Sequence, residues 1–526
     1  MKLITLLRTS LLSSAVAAAL SALASPVAAA DSRSNLVIGV ADTPATLEPA
    51  KELSNVGTRV NYSIFDTLIR RDFLSAKDGG GSKLVPGLAE SWKHIDDRTL
   101  EVKLRAGVHF HNGALLTADD VVFTFSPERI TGPNSKLPEG RAYFSVLDHV
   151  ETVDPLTVRF VTKNPDPLIE QRISSWASWI INKKDWQEKA AQDGGLPRYP
   201  VGTGPFKLAE YKADQYIRLV ANDDYFGGKP TVASVTFKEV PEPAVRVAGL
   251  ISGEFDMITN VAPDQIEQIN SYPEIETRSV VLANSHVLVY NTHNPVLADK
   301  RVRQALSLAI DRQLLVDALW AGKAVVPQGN QYPEYGDMFD PTRKGFEYNP
   351  EKAKALLAEA GYKGQEITYS TQPNYYLNSV PAAQAIIEMW KAVGINATLN
   401  VTETLDSISL DKLMVRNWSN STRYPDPLGG IWVSWGPFGS AQKNWKTWSS
   451  DEFNAAGGQL ETEVDLPKRK ALASKLLNIW EDEAPGTFLY QPLETYGVRK
   501  SLKWQPYTFY YMDLRPYNLT DTKAAL

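Results

Sequence analysis

The chain has 526 residues, 43% hydrophobic and 22% charged, with a formal net charge of −6 at pH 7. That length exceeds what one hydrophobic core serves, so two or three domains are expected, and the acidic balance without any Lys/Arg run argues against nucleic-acid binding. There is no cysteine, which excludes catalytic thiols, cysteine zinc sites and disulfides.

Residues 1–30 read as a targeting segment rather than as fold. Lys2 and Arg8 give a positive start, residues 11–23 are apolar and uncharged, and Ala28, Ala29 and Ala30 offer a small-residue cleavage site before Asp31. The apolar run is short for a membrane span. Removing Lys2 and Arg8 takes the formal charge from −6 to −8. With no cysteine at the cleavage point to carry a lipid, the expected product is exported, unanchored and periplasmic.

Next comes a short apolar run at 36–40, ended by turn formers, which predicts a first strand. The second half of 52–69 has helical apolar spacing. Leu100, Val102 and Leu104 alternate with Glu101 and Lys103, as do Leu156, Val158 and Phe160 with Thr157 and Arg159; each predicts a half-buried strand. Between them, Thr117 with Asp120 three residues on reads as a helix cap. A Gly/Pro turn at 201–206 precedes a strand-rich region to 240, followed by a helix over 241–251 and a strand at 255–258. Val302, Ala305, Leu306, Ala309, Ile310 and Leu314 predict one long helix. Asn349 and Pro350 open another helix that Gly361 ends. A helix over 383–392, flanked by strands at 366–369 and 398–401, implies an α/β unit with a right-handed crossover.

The densest feature is 417–448, with Trp418, Trp432, Trp435, Trp445 and Trp448 among repeated Gly and Pro. That composition predicts short strands and turns rather than one helix. Flat rings beside Asn417, Asn420, Arg423 and Asp426 suit a pocket for a polar organic molecule; the alternative is that the tryptophans form core.

Several stretches then resemble one family. LVPGLAESWKHIDDRTLEVKLRAGVHFHNGALLTADDVVFTF (84–125), VGTGPFKL (201–208), RVRQALSLAIDR (301–312) and NPEKAKALLAEAGY (349–362) are similar, in order, to the extracellular solute-binding proteins of ABC importers, of the peptide, opine and nickel type. The resemblance implies an α/β, two-lobed periplasmic binding protein (type II, cluster C) with a hinge and an extra inserted domain. Domain I would comprise 31–71, 201–290 and 493–526, domain II 72–200, and domain III 291–492. Ligand would sit between domains I and III, with lobe closure shifting an existing open–closed balance. The partners implied are a small-molecule ligand and the transmembrane subunits of an ABC permease. No cofactor or metal is expected, and a monomer is.

In peptide-binding relatives an aspartate in the 417–448 stretch pairs with the ligand's α-amino group. Here that position falls on Ser421 or, counted from the following turn, on Arg423. Neither supplies the negative charge that makes an ammonium worth desolvating. Arg423 instead favours a carboxylate or phosphate, with a surface salt bridge as the plain alternative, and tryptophans suit a sugar ring. The expected ligand is therefore a sugar-containing opine or sugar phosphate, agrocinopine-like, with a dipeptide or oligopeptide as the alternative. The loop 139–143 offers Arg141 with Tyr143. By region, the resemblance also points to Asn55, Trp176, Asn374 and Tyr376, and more weakly to 328–332. The candidate ligand-binding set is completed by Asn417, Ser421, Arg423, Tyr424, Asp426, Trp432 and Trp435.

Two other readings stand against these. His109 and His111 form an H-x-H that could place two imidazoles on one strand face, but no third ligand is near in sequence. A secreted glycoside hydrolase needs two facing carboxylates, and neither a G-x-S-x-G nor an H-E-x-x-H motif occurs.

Overall fold

The computed structural model describes residues 31–137, 140–373 and 375–522. The targeting segment and Asn374 lie outside these residues, as does Glu139 of the 139–143 loop.

Two mixed sheets organise the chain. The larger has seven strands drawn from distant parts of the sequence. Asn35–Val40 lies at its middle, parallel to Ser234–Glu239 on one side and Met257–Ile258 on the other. Leu36, Ile38 and Val40 are buried on one face, and Phe255 covers Val37 and Gly39 on the other, as befits a central strand. Tyr216–Ala221 and Phe206–Lys212 extend one edge, and Leu493–Arg499 and Ile275–Val281 the other.

The second sheet has five strands, in the order Ala397–Val401, Ile367–Thr371, Val415–Ser421, Asn284–Tyr290, Gly486–Tyr490. Ile367–Thr371 and Ala397–Val401 are parallel and joined through the helix Ser379–Ala392, whose Ala383, Ile386 and Trp390 are buried. This is the β-α-β unit that the spacing predicts.

A four-stranded antiparallel sheet (Ala89–Asp96, Thr99–Leu104, Thr157–Thr162, Leu147–Asp154) is inserted between the first strand of the large sheet and its return at Phe206–Lys212. Leu100, Val102, Leu104, Val158 and Phe160 form its buried face. The helix Ala118–Thr124 packs on it, and the Asp120 carboxylate reaches back to the Thr117 amide at 3.0 Å. This closes the orphan donors at the helix start.

The two large sheets are joined twice, each time by only two residues. Leu282 and Ala283 lead from Ile275–Val281 into Asn284–Tyr290, and Gln491 and Pro492 lead from Gly486–Tyr490 into Leu493–Arg499. The crossings run side by side, with the Leu282 amide donating to the Pro492 carbonyl at 3.0 Å.

Two sequence expectations are corrected. The helix predicted through Val302 and Leu314 is two, Lys300–Leu308 and Arg312–Trp320. The Asp311 carboxylate accepts from the Leu314 amide at 2.9 Å and starts the second, leaving Leu314 exposed; a capping aspartate outcompetes continuation of the turn. The aromatic stretch holds one strand, Val415–Ser421, and then mostly short helical turns, Leu428–Trp432, Val433–Trp435 and Ser440–Asn444. Asp426 begins the first of these by accepting from the Leu428 amide at 2.9 Å.

Candidate functional site

The site is built on two neighbouring antiparallel strands. Asn284 stands opposite Ser421, His286 opposite Ser419, and Leu288 opposite Asn417. Side chains alternate along a strand, so these pairs share one face. The Asn284 amide donates to the hydroxyls of Ser419 at 2.8 Å and Ser421 at 2.7 Å.

From the other lobe comes Asn55, the first residue of the helix Asn55–Ile64. The Ser54 hydroxyl caps that helix by accepting from the Gly57 amide at 3.0 Å. The Asn55 amide donates to the Ser419 hydroxyl, and its carbonyl oxygen accepts from Ser421, each at 3.4 Å. The two lobes thus meet through neutral amide and hydroxyl groups, in a closed arrangement.

Arg423 crosses the same cleft towards the inserted domain. Its Nε donates to the Tyr143 hydroxyl at 3.0 Å, a terminal nitrogen donates to the Ser421 carbonyl, and the guanidinium lies 4.6 Å from the centre of the Trp176 ring. Among the described residues no carboxylate lies within ion-pairing distance of it, and the side chain is half-buried rather than on the open surface. Trp176 is 2% exposed, stands edge-on to Phe509 at 5.3 Å, and its indole N–H has no partner. A half-buried guanidinium braced by a phenol and an indole keeps donors free for an anion.

The loop singled out for Arg141 thus enters the cleft by its tyrosine. Arg141 itself sits at the outer rim, its guanidinium 5.5 Å from the Phe438 ring. With Lys163 and Glu461 it lines a rim cavity of about 140 Å³.

Deeper in the second lobe, Tyr376 stacks on His286 with ring centres 3.5 Å apart. Burial lowers the His286 imidazole to about 3, so it is neutral at neutral pH. Tyr332, within the weakly indicated segment 328–332, bonds the Ser285 hydroxyl at 3.0 Å and the Asn420 carbonyl at 3.2 Å.

Four candidates are engaged elsewhere. Asp426 is 2% exposed, and its second oxygen accepts from Arg469 at 2.8 Å. Burial pushes this carboxyl up, and the Arg469 charge opposes that shift. Trp435 is fully buried, edge-on to Trp480 at 5.0 Å and to Trp418 at 5.6 Å. Trp432 covers Gly457, where an added Cβ would fall 2.0 Å from the ring, and donates to Glu461 at 3.4 Å. Dense tryptophans here build the second-lobe core. Tyr424 lies buried beneath the Arg172 guanidinium, 5.6 Å from it, with its hydroxyl unpartnered.

Asp426→Asn is expected to cost about 3–5 kcal/mol of stability, because it leaves the buried Arg469 without its counter-charge, while leaving ligand affinity unchanged. Denaturant melts beside calorimetry check this, and an affinity loss at parental stability would return the residue to the site.

Sequence reasoning missed Asn284, His286 and Ser419. Their signal was polar residues at alternate positions of otherwise buried strands. The H-x-H pair does not act as a unit: His111 donates to the Gly204 carbonyl at 3.0 Å, and burial lowers its imidazole to about 4. Among the described residues no group of three His, Cys, Asp or Glu side chains is placed to hold a metal ion, and no helix is long and apolar enough to cross a membrane.

Comparison with known proteins gives the architecture its context. The chain is 29% identical over 451 residues to the "Dipeptide-binding protein" of Escherichia coli (strain K12), covering 81% of this chain and 84% of that protein. Its fold matches the Helicobacter pylori periplasmic binding protein DppA in complex with the peptide STSA, with a TM-score of 0.82 and 22% identity over 93% of this chain and 99% of that one. It also matches AgaA from A. tumefaciens R10 in complex with agropinic acid, with a TM-score of 0.78 and 24% identity over 90% of this chain and 94% of that one. The architecture is therefore the mixed α/β, two-lobed periplasmic binding protein fold. Residues 83–442 match the family described as "Bacterial extracellular solute-binding proteins, family 5 Middle". With more than half of its length inside that match, the chain belongs to the family 5 bacterial extracellular solute-binding proteins.

Proposed function

We propose that this protein is the substrate-binding component of an ABC importer that captures a sugar-containing opine or sugar phosphate between its lobes and delivers it to the transmembrane permease. The observation that carries the reading is Arg423, a half-buried guanidinium in the cleft with no carboxylate partner among the described residues. The amide and hydroxyl groups of Asn55, Asn284, Ser419 and Ser421 suit a polyol. Agropinic acid in AgaA gives a precedent within the fold.

An oligopeptide or dipeptide is the second reading, favoured by the dipeptide-binding relative and the peptide-bound DppA. In that case Arg423 would hold the peptide carboxylate. The amine would then need a counter-charge, and Asp426, the only acidic residue within 415–450, is already paired with Arg469.

A thermal-shift series with agropinic acid, glucose phosphate, neutral oligosaccharides and dipeptides separates the readings. A ligand at about a thousand times its dissociation constant adds about 4 kcal/mol of stability. The expected result is stabilisation by the anionic sugar conjugates and not by dipeptides, and the reverse would overturn the proposal. Turnover of a sugar conjugate would instead favour the hydrolase alternative.

A further inference from the structure

Towards the rim the lobes also meet through charge. Arg172, at the end of the helix Ile169–Arg172 in the inserted domain, is fully buried. Its Nε donates to Asp166 of the same domain at 2.9 Å, and one terminal nitrogen donates to the Tyr143 carbonyl at 3.3 Å. The other terminal nitrogen crosses to Glu461, at 3.5 Å, in the second-lobe helix Asp451–Thr462. The Tyr424 ring, also of the second lobe, lies 5.6 Å from the guanidinium. Side chains of the opposite lobe thus help to seal Arg172 from water, and opening the cleft uncovers it.

The charges do not balance lobe by lobe. Arg172 and Asp166 neutralise each other within the inserted domain. Glu461 accepts from the Trp432 indole N–H of its own lobe at 3.4 Å, but the charged groups that act most strongly on it, Arg172, Asp166 and Lys163, all stand across the cleft. Burial pushes the Glu461 carboxyl up; Arg172 opposes that shift and Asp166 adds to it. Enclosing this carboxylate is therefore a cost of closing, and Arg172 keeps that cost small. Without the guanidinium, closing would bring two carboxylates together where the Asp166 side chain is 1% and the Glu461 side chain 19% exposed. Like charges brought together out of water oppose association strongly.

We propose that Arg172 is a positioning residue for lobe closure: it admits the Glu461 carboxylate into the closed interface beside Asp166, and so sets how readily the lobes shut. It acts on binding through the open–closed balance, whichever ligand the cleft takes, and its test needs no ligand.

The chain has no cysteine, so Ser145→Cys with Thr462→Cys makes a reporter pair in the full chain. These positions line the rim cavity of about 140 Å³ from opposite lobes. A short bismaleimide joins them when the cleft is shut, and its rate in ligand-free protein follows the closed population. In this background Arg172→Gln should slow cross-linking roughly tenfold or more. Glu461→Gln alone should leave the rate at or above the parental one, and combined with Arg172→Gln it should restore it. A role confined to the packing of the inserted domain would give no such rescue from the opposite lobe. Should Arg172→Gln fail to fold, Glu461→Lys carries the test, because it sets a second cation against Arg172 and Lys163 and should slow cross-linking to a similar degree. A parental rate in Arg172→Gln or, where that variant does not fold, in Glu461→Lys would overturn the proposal, as would a loss in Arg172→Gln that Glu461→Gln leaves unrestored.

Discussion

An Arg515→Ala variant should lose about 3–5 kcal/mol of folding stability. The guanidinium is 2% exposed and every arm is used. Its Nε donates to the Tyr225 hydroxyl at 2.9 Å, one terminal nitrogen to the Tyr62 carbonyl at 3.0 Å and Asp513 at 3.2 Å, and the other to the Phe65 carbonyl at 3.2 Å and Asp66 at 2.7 Å. Truncation strands two buried carboxylates, and that desolvation is the larger part of the loss. Because Tyr62 and Phe65 belong to the end of the helix that presents Asn55, the first lobe should loosen there first. Burial pushes the Asp513 carboxyl up, but the charges of Arg515 and Arg70 and hydrogen bonds from Tyr517 and Tyr507 outweigh it, so it titrates below the usual range. A lowered folded-state value means the stabilisation is present at neutral pH and is lost as pH falls below about 4. Urea melts at neutral pH and in acid measure both effects. A loss under about 1 kcal/mol would show that the surrounding dipoles satisfy the carboxylates unaided.

Arg423→Ala is expected to weaken an anionic ligand by about 1.5–3 kcal/mol, which is about ten- to a hundredfold in dissociation constant. The guanidinium is held from two sides, by the Tyr143 hydroxyl and the Trp176 ring, so little rotamer freedom remains to be lost on binding. Arg423→Lys should recover only part of the affinity. An ammonium cannot stack on the indole as a plane or present a fork to a carboxylate or phosphate. Calorimetry with agropinic acid and glucose phosphate reads both substitutions, and parental affinity in the alanine variant would remove Arg423 from the site.

How much of this was legible depended on how local the cause was. The strand Thr99–Leu104 could be read because a two-residue period and a buried face are the same fact. The break between Lys300–Leu308 and Arg312–Trp320 could not, since Asp311 fits a polar helical position as well as a cap. In the cleft, Asn55 and Trp176 meet Ser421 and Arg423 although they lie far from them in sequence. The tryptophans misled because ring density does not distinguish the wall of a pocket from the inside of a core: Trp435 meets Trp418 and Trp480, not the cleft. Charge misled at 139–143, where Arg141 drew attention and the neutral Tyr143 makes the reach.

The paired two-residue crossings make the molecule a lever. Two short parallel links leave one soft rotation, and displacement grows with distance from its axis. Asn284 begins immediately beyond the axis and reaches Asn55 through Ser419 and Ser421, whereas Arg141 and Phe438 meet at the outer rim. A given angle of opening therefore parts the rim by much more than it parts the amides, and the cleft opens as a wedge. For a ligand held in this cleft as proposed, the outer end would meet water first, while the end nearest the crossings was still held. Its departure would then be a graded peeling whose slow stage is set by the innermost contacts.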